Sequence, residues 1–244
     1  MASSPDRDAI FTRALGLPPE FRSTSLVTWA AIAEVTEALR LPAGGLLVDA
    51  ACGRGGYGIE IARRTGARLL GVDFSAVALE EARRGSARQQ LAGRSQFQAG
   101  TLTATGLADG VADGLMCIDA VQFAEPPLAA LAEFRRVLAP GARLALTCWE
   151  AAGPAAEQAP RRIRAVNLRR DLAAAGFTDV RVDDKPGWRE AERRVWREVV
   201  EAPPGTGAGM QSLQAEGRRS LDTFGSARRV FASATAPRAG RRPW

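Results

Sequence analysis

From about residue 25 onward, short apolar runs alternate with stretches whose apolar residues recur every three or four positions. This is the pattern of strands and amphipathic helices taken in turn. The spacing of Ile32, Val35 and Leu39 predicts a helix capped by Ser25 and ended before Pro42. Leu46-Leu47-Val48 predicts a short buried strand closing on Asp49, followed by a glycine-rich turn and a helix through Ile59, Ile61 and Ala62. Arg68 to Val72 predicts the next strand, closing on Asp73, and Ser75 caps a long helix through Val77, Leu79 and Ala82.

The alternation continues with a strand near Phe97, a loop over 100–114, and a strand from Leu115 to Ile118 that ends at Asp119. Pro126 and Pro127 open a helix running to Leu138, since proline is tolerated in a first turn. Pro140-Gly141 turns the chain into the strand Leu144 to Thr147; one helix then runs to Ala175, stops at Gly176, and gives way to the strand Val180 to Val182. Strands alternating with helices predict an α/β fold, a mostly parallel sheet with helices on both faces. The rhythm breaks over 186–227, where Trp188, Val195, Trp196 and Val199 predict one helix and Met210 to Leu221 a second. A last strand follows at Arg229 to Thr235. The expected organisation is an N-terminal helical cap (1–41), a core (42–185), a helical insertion or lid (186–227), a final strand (228–236) and a disordered tail (237–244).

Composition narrows the chemistry. With 244 residues the chain can bury one substantial core. The net charge of +6 comes almost wholly from scattered arginines, with Lys185 the only lysine, and no aromatic residues interleave with them. That pattern speaks against a nucleic-acid partner. No apolar run reaches the roughly 20 residues of a membrane span. Asp6 and Asp8 stand where a signal peptide would be basic and apolar, so a cytoplasmic protein is expected. Cys52, Cys117 and Cys148 lack metal-ligand spacing and read as plain buried thiols, and no metal is expected. Histidine is absent, which removes the commonest general base, the histidine triads and most catalytic zinc sites.

The informative stretch is LLVDAACGRGGYG, residues 46–58. A buried strand delivers Asp49, and a turn with Gly53, Gly55 and Gly56 precedes a helix whose N-terminus offers unpaired N–H groups. Twenty residues after Gly53 stands Asp73, a carboxylate at a strand end that can accept from both hydroxyls of an adenosine ribose. Gly53, Gly55 and Gly58 also satisfy G-x-G-x-x-G, so a nicotinamide-dependent oxidoreductase is an alternative. Against it stand Asp49, unwelcome beside a pyrophosphate, the late helical insertion, and the missing histidine.

VDAACGRGGYGIEIA, GVDFS and FRRVLAPGARLALTCWE resemble the ordered motifs of class I S-adenosylmethionine-dependent methyltransferases. In appearance the kin are ubiquinone- and menaquinone-biosynthesis-like enzymes and actinobacterial small-molecule tailoring enzymes. The resemblance spans roughly residues 24–183. It implies a Rossmann-like seven-stranded sheet with its last strand antiparallel, S-adenosylmethionine as cofactor and S-adenosylhomocysteine as product. It also implies that Ala51, Gly53 and Gly55 line the methionine moiety, with Asp49 holding its amino end directly or through water. Asp73 would bind the ribose, Phe74 pack on the adenine, and Thr101 and Leu102 border the adenine edge. Ile118 and Asp119 would face the sulfonium, Asp119 being the one candidate base, and Phe123 would begin the acceptor cavity. The cap and insertion are expected to cover that cavity, with Phe21, Trp29, Phe123, Trp149 and Trp188 as its apolar wall and Phe11, Trp196 and Met210 nearby. The expected reaction is methylation of a small molecule on O, N or C, in secondary metabolism. A cofactor-binding protein catalysing a cyclisation is a further alternative. A homodimer is compatible with this reading, and no membrane partner is expected.

Overall fold

In the computed structural model, residues 5–22, 25–203 and 208–238 are described. The tail 239–244 lies outside them. Seven strands form one sheet in the order β3-β2-β1-β4-β5-β7-β6. They are β1 (Leu46–Ala50), β2 (Arg68–Asp73), β3 (Ser95–Ala99), β4 (Ala112–Ile118), β5 (Leu138–Ala151), β6 (Thr178–Asp184) and β7 (Ala227–Thr235). Strands β3, β2, β1, β4 and β5 pair in parallel, and β7 inserts antiparallel between β5 and β6. The order reverses beside β1, so the carboxyl ends of β1 and β4 flank the crevice where ligands bind in open sheets of this kind.

Nine helices are described: α1 (Pro5–Leu15), α2 (Trp29–Leu39), α3 (Gly56–Thr65), α4 (Ala76–Arg88), α5 (Pro127–Val137), α6 (Arg161–Arg164), α7 (Leu168–Ala174), α8 (Pro186–Glu201) and α9 (Ala208–Asp222). One face of the sheet buries α2, α3 and α4, and α8 packs on β7 with α1 and α9 gathered against it, in the same core. The opposite face buries α5 and α7. Each sheet helix presents an apolar stripe, such as Ile32, Val35 and Leu39 of α2, all at most 1% exposed.

Several boundaries differ from the sequence reading for local reasons. Thr28, not Ser25, caps α2: its hydroxyl accepts from the Ala31 N–H at 3.3 Å. Ser25 instead donates its hydroxyl to the Ile118 carbonyl. Strand β4 begins at Ala112, inside the expected loop, because Ala112 pairs with Leu138. For the same reason β5 starts at Leu138 and carries the Pro140-Gly141 pair as an irregularity within it. The single helix expected up to Ala175 is broken in two. Pro160 opens α6, and Asn167 caps α7 by accepting from the Arg170 N–H.

Candidate cofactor and acceptor site

The turn after β1 is held by backbone conformation. Ala51, Gly53 and Gly55 have φ of 59°, 53° and 80°, the left-handed region that costs glycine nothing and alanine something. Gly55 ends as the N-cap of α3 with no side chain to offer, leaving that helix's first N–H groups facing the turn. Asp73, at the end of β2 and 7% exposed, closes the arrangement. Its carboxylate accepts from the Gly53 N–H at 2.8 Å and the Ser75 N–H at 2.9 Å. A carboxylate has about four acceptor sites, so capacity for a diol remains. Beside it the Phe74 ring is 82% exposed.

Asp49 is the penultimate residue of β1. Its side chain is buried and turned under α3: a Cβ on Gly58 would lie 2.6 Å from Asp49 Oδ2. Burial, reinforced by the Asp73 charge, pushes the Asp49 carboxyl well above the usual carboxylate range, against a hydrogen bond from the Gly58 N–H. The Asp49 carboxylate thus lies beneath the turn, against the start of α3. Burial also pushes the Cys52 thiol up, with Asp49 and Asp73 adding to the effect, and it does the same for Cys117 and Cys148. None of the three is poised as a thiolate nucleophile.

At the end of β4, Asp119 adopts a left-handed φ of 57°. Its carboxylate receives both oxygens' worth of contacts from Arg229, at 2.7 and 2.6 Å. It also accepts from the Thr147 hydroxyl at 2.6 Å and from the Leu26 N–H at 3.2 Å. Arg229 of β7 is wholly buried and reaches on to Glu192 of α8 at 3.3 Å. The same Glu192 accepts from the Trp149 indole at 2.8 Å. Burial pushes the Glu192 carboxyl up, opposed chiefly by the Arg229 charge. Asp119 is thus a latch joining β4, β7 and the segment before α2. Sequence reasoning missed Arg229 and Glu192. The signal was there: Arg229, Phe231 and Ser233 alternate on one face of an otherwise apolar strand.

The aromatic residues expected to wall the acceptor cavity are mostly covered. Phe21, 4% exposed, meets Trp29 and Tyr57 edge-on. Trp29 lies under the Arg64 guanidinium, at 4.7 Å from the ring centre. Trp149 carries Arg229 on its face at 4.0 Å, and Trp188 packs on Phe231 with Lys185 over both rings. Phe11 and Trp196 pack edge-on in the cap, and Met210 is buried there too. Phe21 and Trp29 do border a recess of about 350 Å³, but on the outer side of α3 with Glu60 and Arg63. Phe123 differs: it is 64% exposed, beside Asp119 at the carboxyl end of β4, with Arg162 of α6 over its ring. Thr101 is exposed and its hydroxyl accepts from the Ala104 N–H at 3.1 Å; Leu102 is half-buried. Ile118 is buried, 6% exposed.

A family model described as "Methyltransferase domain" matches residues 48–146, the stretch that holds the glycine turn, Asp73 and Asp119. The O-methyltransferase resE of Aspergillus sclerotiorum is 30% identical over 179 residues, 66% of this chain and 67% of that protein. Among solved structures, the [4+2]-cyclase SpnF superposes with a TM-score of 0.78 at 18% identity, covering 95% of this chain and 93% of its own. Phosphoethanolamine N-methyltransferase 2 of Haemonchus contortus, in complex with S-adenosyl-L-methionine, gives a TM-score of 0.76 at 16% identity. That match covers 95% of this chain, which spans 57% of the longer enzyme. The two structural likenesses carry the fold, and the likeness to resE carries the kinship. The chain belongs to the class I S-adenosylmethionine-dependent methyltransferases.

Proposed function

We propose that this chain transfers the methyl group of S-adenosylmethionine to a small-molecule acceptor at the carboxyl end of β4. The observation that carries the reading is the Asp73 carboxylate, bound into the glycine turn beside the exposed ring of Phe74. A diol acceptor next to an open aromatic face is the chemistry a ribose and an adenine require. The bound cofactor supplies a methyl group on a positively charged sulfur, already activated for departure. Asp73 holds the ribose, and Phe74 and Leu102 hold the adenine. Thr101 borders its edge with a hydroxyl already engaged by Ala104. Ala51, Gly53 and Gly55 would admit the methionine end by close backbone approach, and Ile118 and Asp119 would face the sulfonium.

Methyl transfer is an in-line displacement: the bond from acceptor atom to methyl carbon forms as the bond from carbon to sulfur breaks, and the charge on sulfur disappears. Alignment of the two partners can supply roughly 7–11 kcal/mol of the acceleration. Asp119 is held by Arg229, Asp49 is turned under α3, and the chain has no histidine, which suits an acceptor that is an acidic phenol or enol, or an electron-rich nitrogen or carbon. The name of resE supports oxygen. Phe123, with Arg162 above it, begins the acceptor side.

Calorimetry should give saturable binding of S-adenosylhomocysteine, and mass spectrometry of an acceptor screen should give products heavier by one methylene. Binding without any methylated product across the screen would favour a second reading, a cyclisation on the same scaffold. That reading is supported by the likeness to SpnF over nearly its whole length. Absence of binding would defeat both.

A further inference from the structure

The glycine turn contains one long side chain, and it points away from the cleft. Arg54 lies between Gly53 and Gly55, and its side chain is only 9% exposed. Its guanidinium forks onto Asp8 of α1, at 2.9 Å to one oxygen and 3.0 Å to the other. Its third nitrogen donates to Glu81 of α4 at 2.6 Å. Such a planar, two-point fork fixes direction as well as distance. The other ties of the turn run to the sheet and to the turn itself: the Cys52 N–H bonds the Val72 carbonyl, the Gly53 N–H bonds the Asp73 carboxylate, and the Gly55 N–H bonds the Cys52 carbonyl. Helix α1 in turn packs on α8, and Arg13 pairs with Glu198 there.

We propose that Asp8 is a positioning residue for the cofactor-binding turn, acting through Arg54, so that docking of α1 and binding of the cofactor form one linked equilibrium. The inference rests on the methyltransferase reading above. The left-handed conformation at Ala51 persists only if neighbours over-determine it, Gly53 and Gly55 are free to leave theirs, and the residue between the two glycines is held by α1 and α4. When α1 leaves, Arg54 loses two of its three bonds and the turn is free to relax. Linkage makes the effect reciprocal: a cofactor that selects the held turn must tighten α1 by the same factor.

The test is calorimetric affinity for S-adenosylhomocysteine, joined with hydrogen exchange over residues 5–15. In the wild type, ligand should slow exchange in α1. Asp8→Ala should weaken affinity about tenfold, the loss of a charged pair of hydrogen bonds, and abolish that protection. Asp8→Glu should recover part of both. Arg54→Ala alone and together with Asp8→Ala should give nearly the same affinity, since both break one connection. Glu198→Ala is the control: it removes another tie of α1 without touching Arg54 and should leave affinity within twofold. Should Asp8→Ala fail to fold, Arg54→Lys keeps the charge, removes the fork, and should show the same paired losses. Asp8 variants that bind like the wild type overturn the inference, as do equal losses in Glu198→Ala, which would indicate a general role of α1. A wild type that does not bind the ligand defeats the methyltransferase reading and this inference together.

Discussion

Replacing Arg229 by methionine tests the latch at the end of β4 most severely. The side chain is wholly buried, and it supplies the only cation hydrogen-bonded to Asp119 and Glu192 among the described residues. Methionine fills comparable space without charge, so the loss is electrostatic rather than a cavity. Removing one partner of a buried ion pair typically costs about 3–5 kcal/mol, because the other charge stays behind. Against a domain stability of about 5–15 kcal/mol this is severe. For a chain of this size it corresponds to a fall in melting temperature of about 6–20 °C. The sign of the pH dependence follows from Glu192. Burial raises its carboxyl and Arg229 opposes that rise, so the variant raises it further. A carboxyl raised in the folded state gives stability that is lost as pH rises through the folded value. The deficit, measured by urea and thermal melts, should therefore be larger at pH 8 than at pH 5. Neutralising the whole cluster, with Arg229→Met, Asp119→Asn and Glu192→Gln together, should recover much of the loss. A deficit below about 1 kcal/mol, or one independent of pH, would refute the reasoning.

Phe74→Ala should lower S-adenosylhomocysteine affinity by about 1–3 kcal/mol, the range for stacking of a base on an aromatic ring. Its melting temperature should not move, since the ring is exposed. Gly58→Ala should destabilise by about 1–3 kcal/mol despite the better helix propensity of alanine. The new Cβ meets Asp49 Oδ2 at 2.6 Å and Leu69 Cδ1 at 3.0 Å, and a variant that melts higher than the wild type would contradict that geometry. Glu133→Gln should cost about 1–2 kcal/mol at pH 7. Hydrogen bonds from Arg136, with those of Thr105 and against burial, hold Glu133 down at about 2. Its contribution is present above the ordinary value of 4.5 and lost as pH falls from there toward 2. The gap in melting temperature between wild type and variant should therefore close over that interval.

The glycine turn, Asp73 and the strand–helix alternation were legible because each is local: a buried strand, a turn that needs positive φ, and a capped helix lie within a few tens of residues. The open and covered faces of the aromatic residues were not legible. Periodicity shows that Trp29, Trp149 and Trp188 are partly apolar-facing, but not that Arg64, Arg229 and Lys185 lie over them. Asp119 shows the same limit. Its position at a strand end was readable, while the arginine that occupies it is 110 residues away and arrives only when β7 inserts beside β5. Strand lengths failed for a related reason, since β5 extends across Pro140-Gly141 only because β4 and β7 pair with its two sides.

Two non-glycine residues with left-handed backbone, Ala51 and Asp119, follow the adjacent strands β1 and β4, on either side of the crevice. A non-glycine residue in that region is disfavoured by about 1–2 kcal/mol, so each must be held by its surroundings. After Ala51, the Cys52 N–H bonds the Val72 carbonyl and the Gly53 N–H bonds Asp73. Asp119 is held through its N–H, which bonds Thr147, and through its carboxylate, which bonds Arg229 and Leu26. Two carboxylates at the strand ends, Asp73 and Asp119, are thus engaged in fixing backbone. An in-line transfer from an already activated donor requires alignment and exclusion of water above all, and these are what rigid strand ends under a latched cap provide.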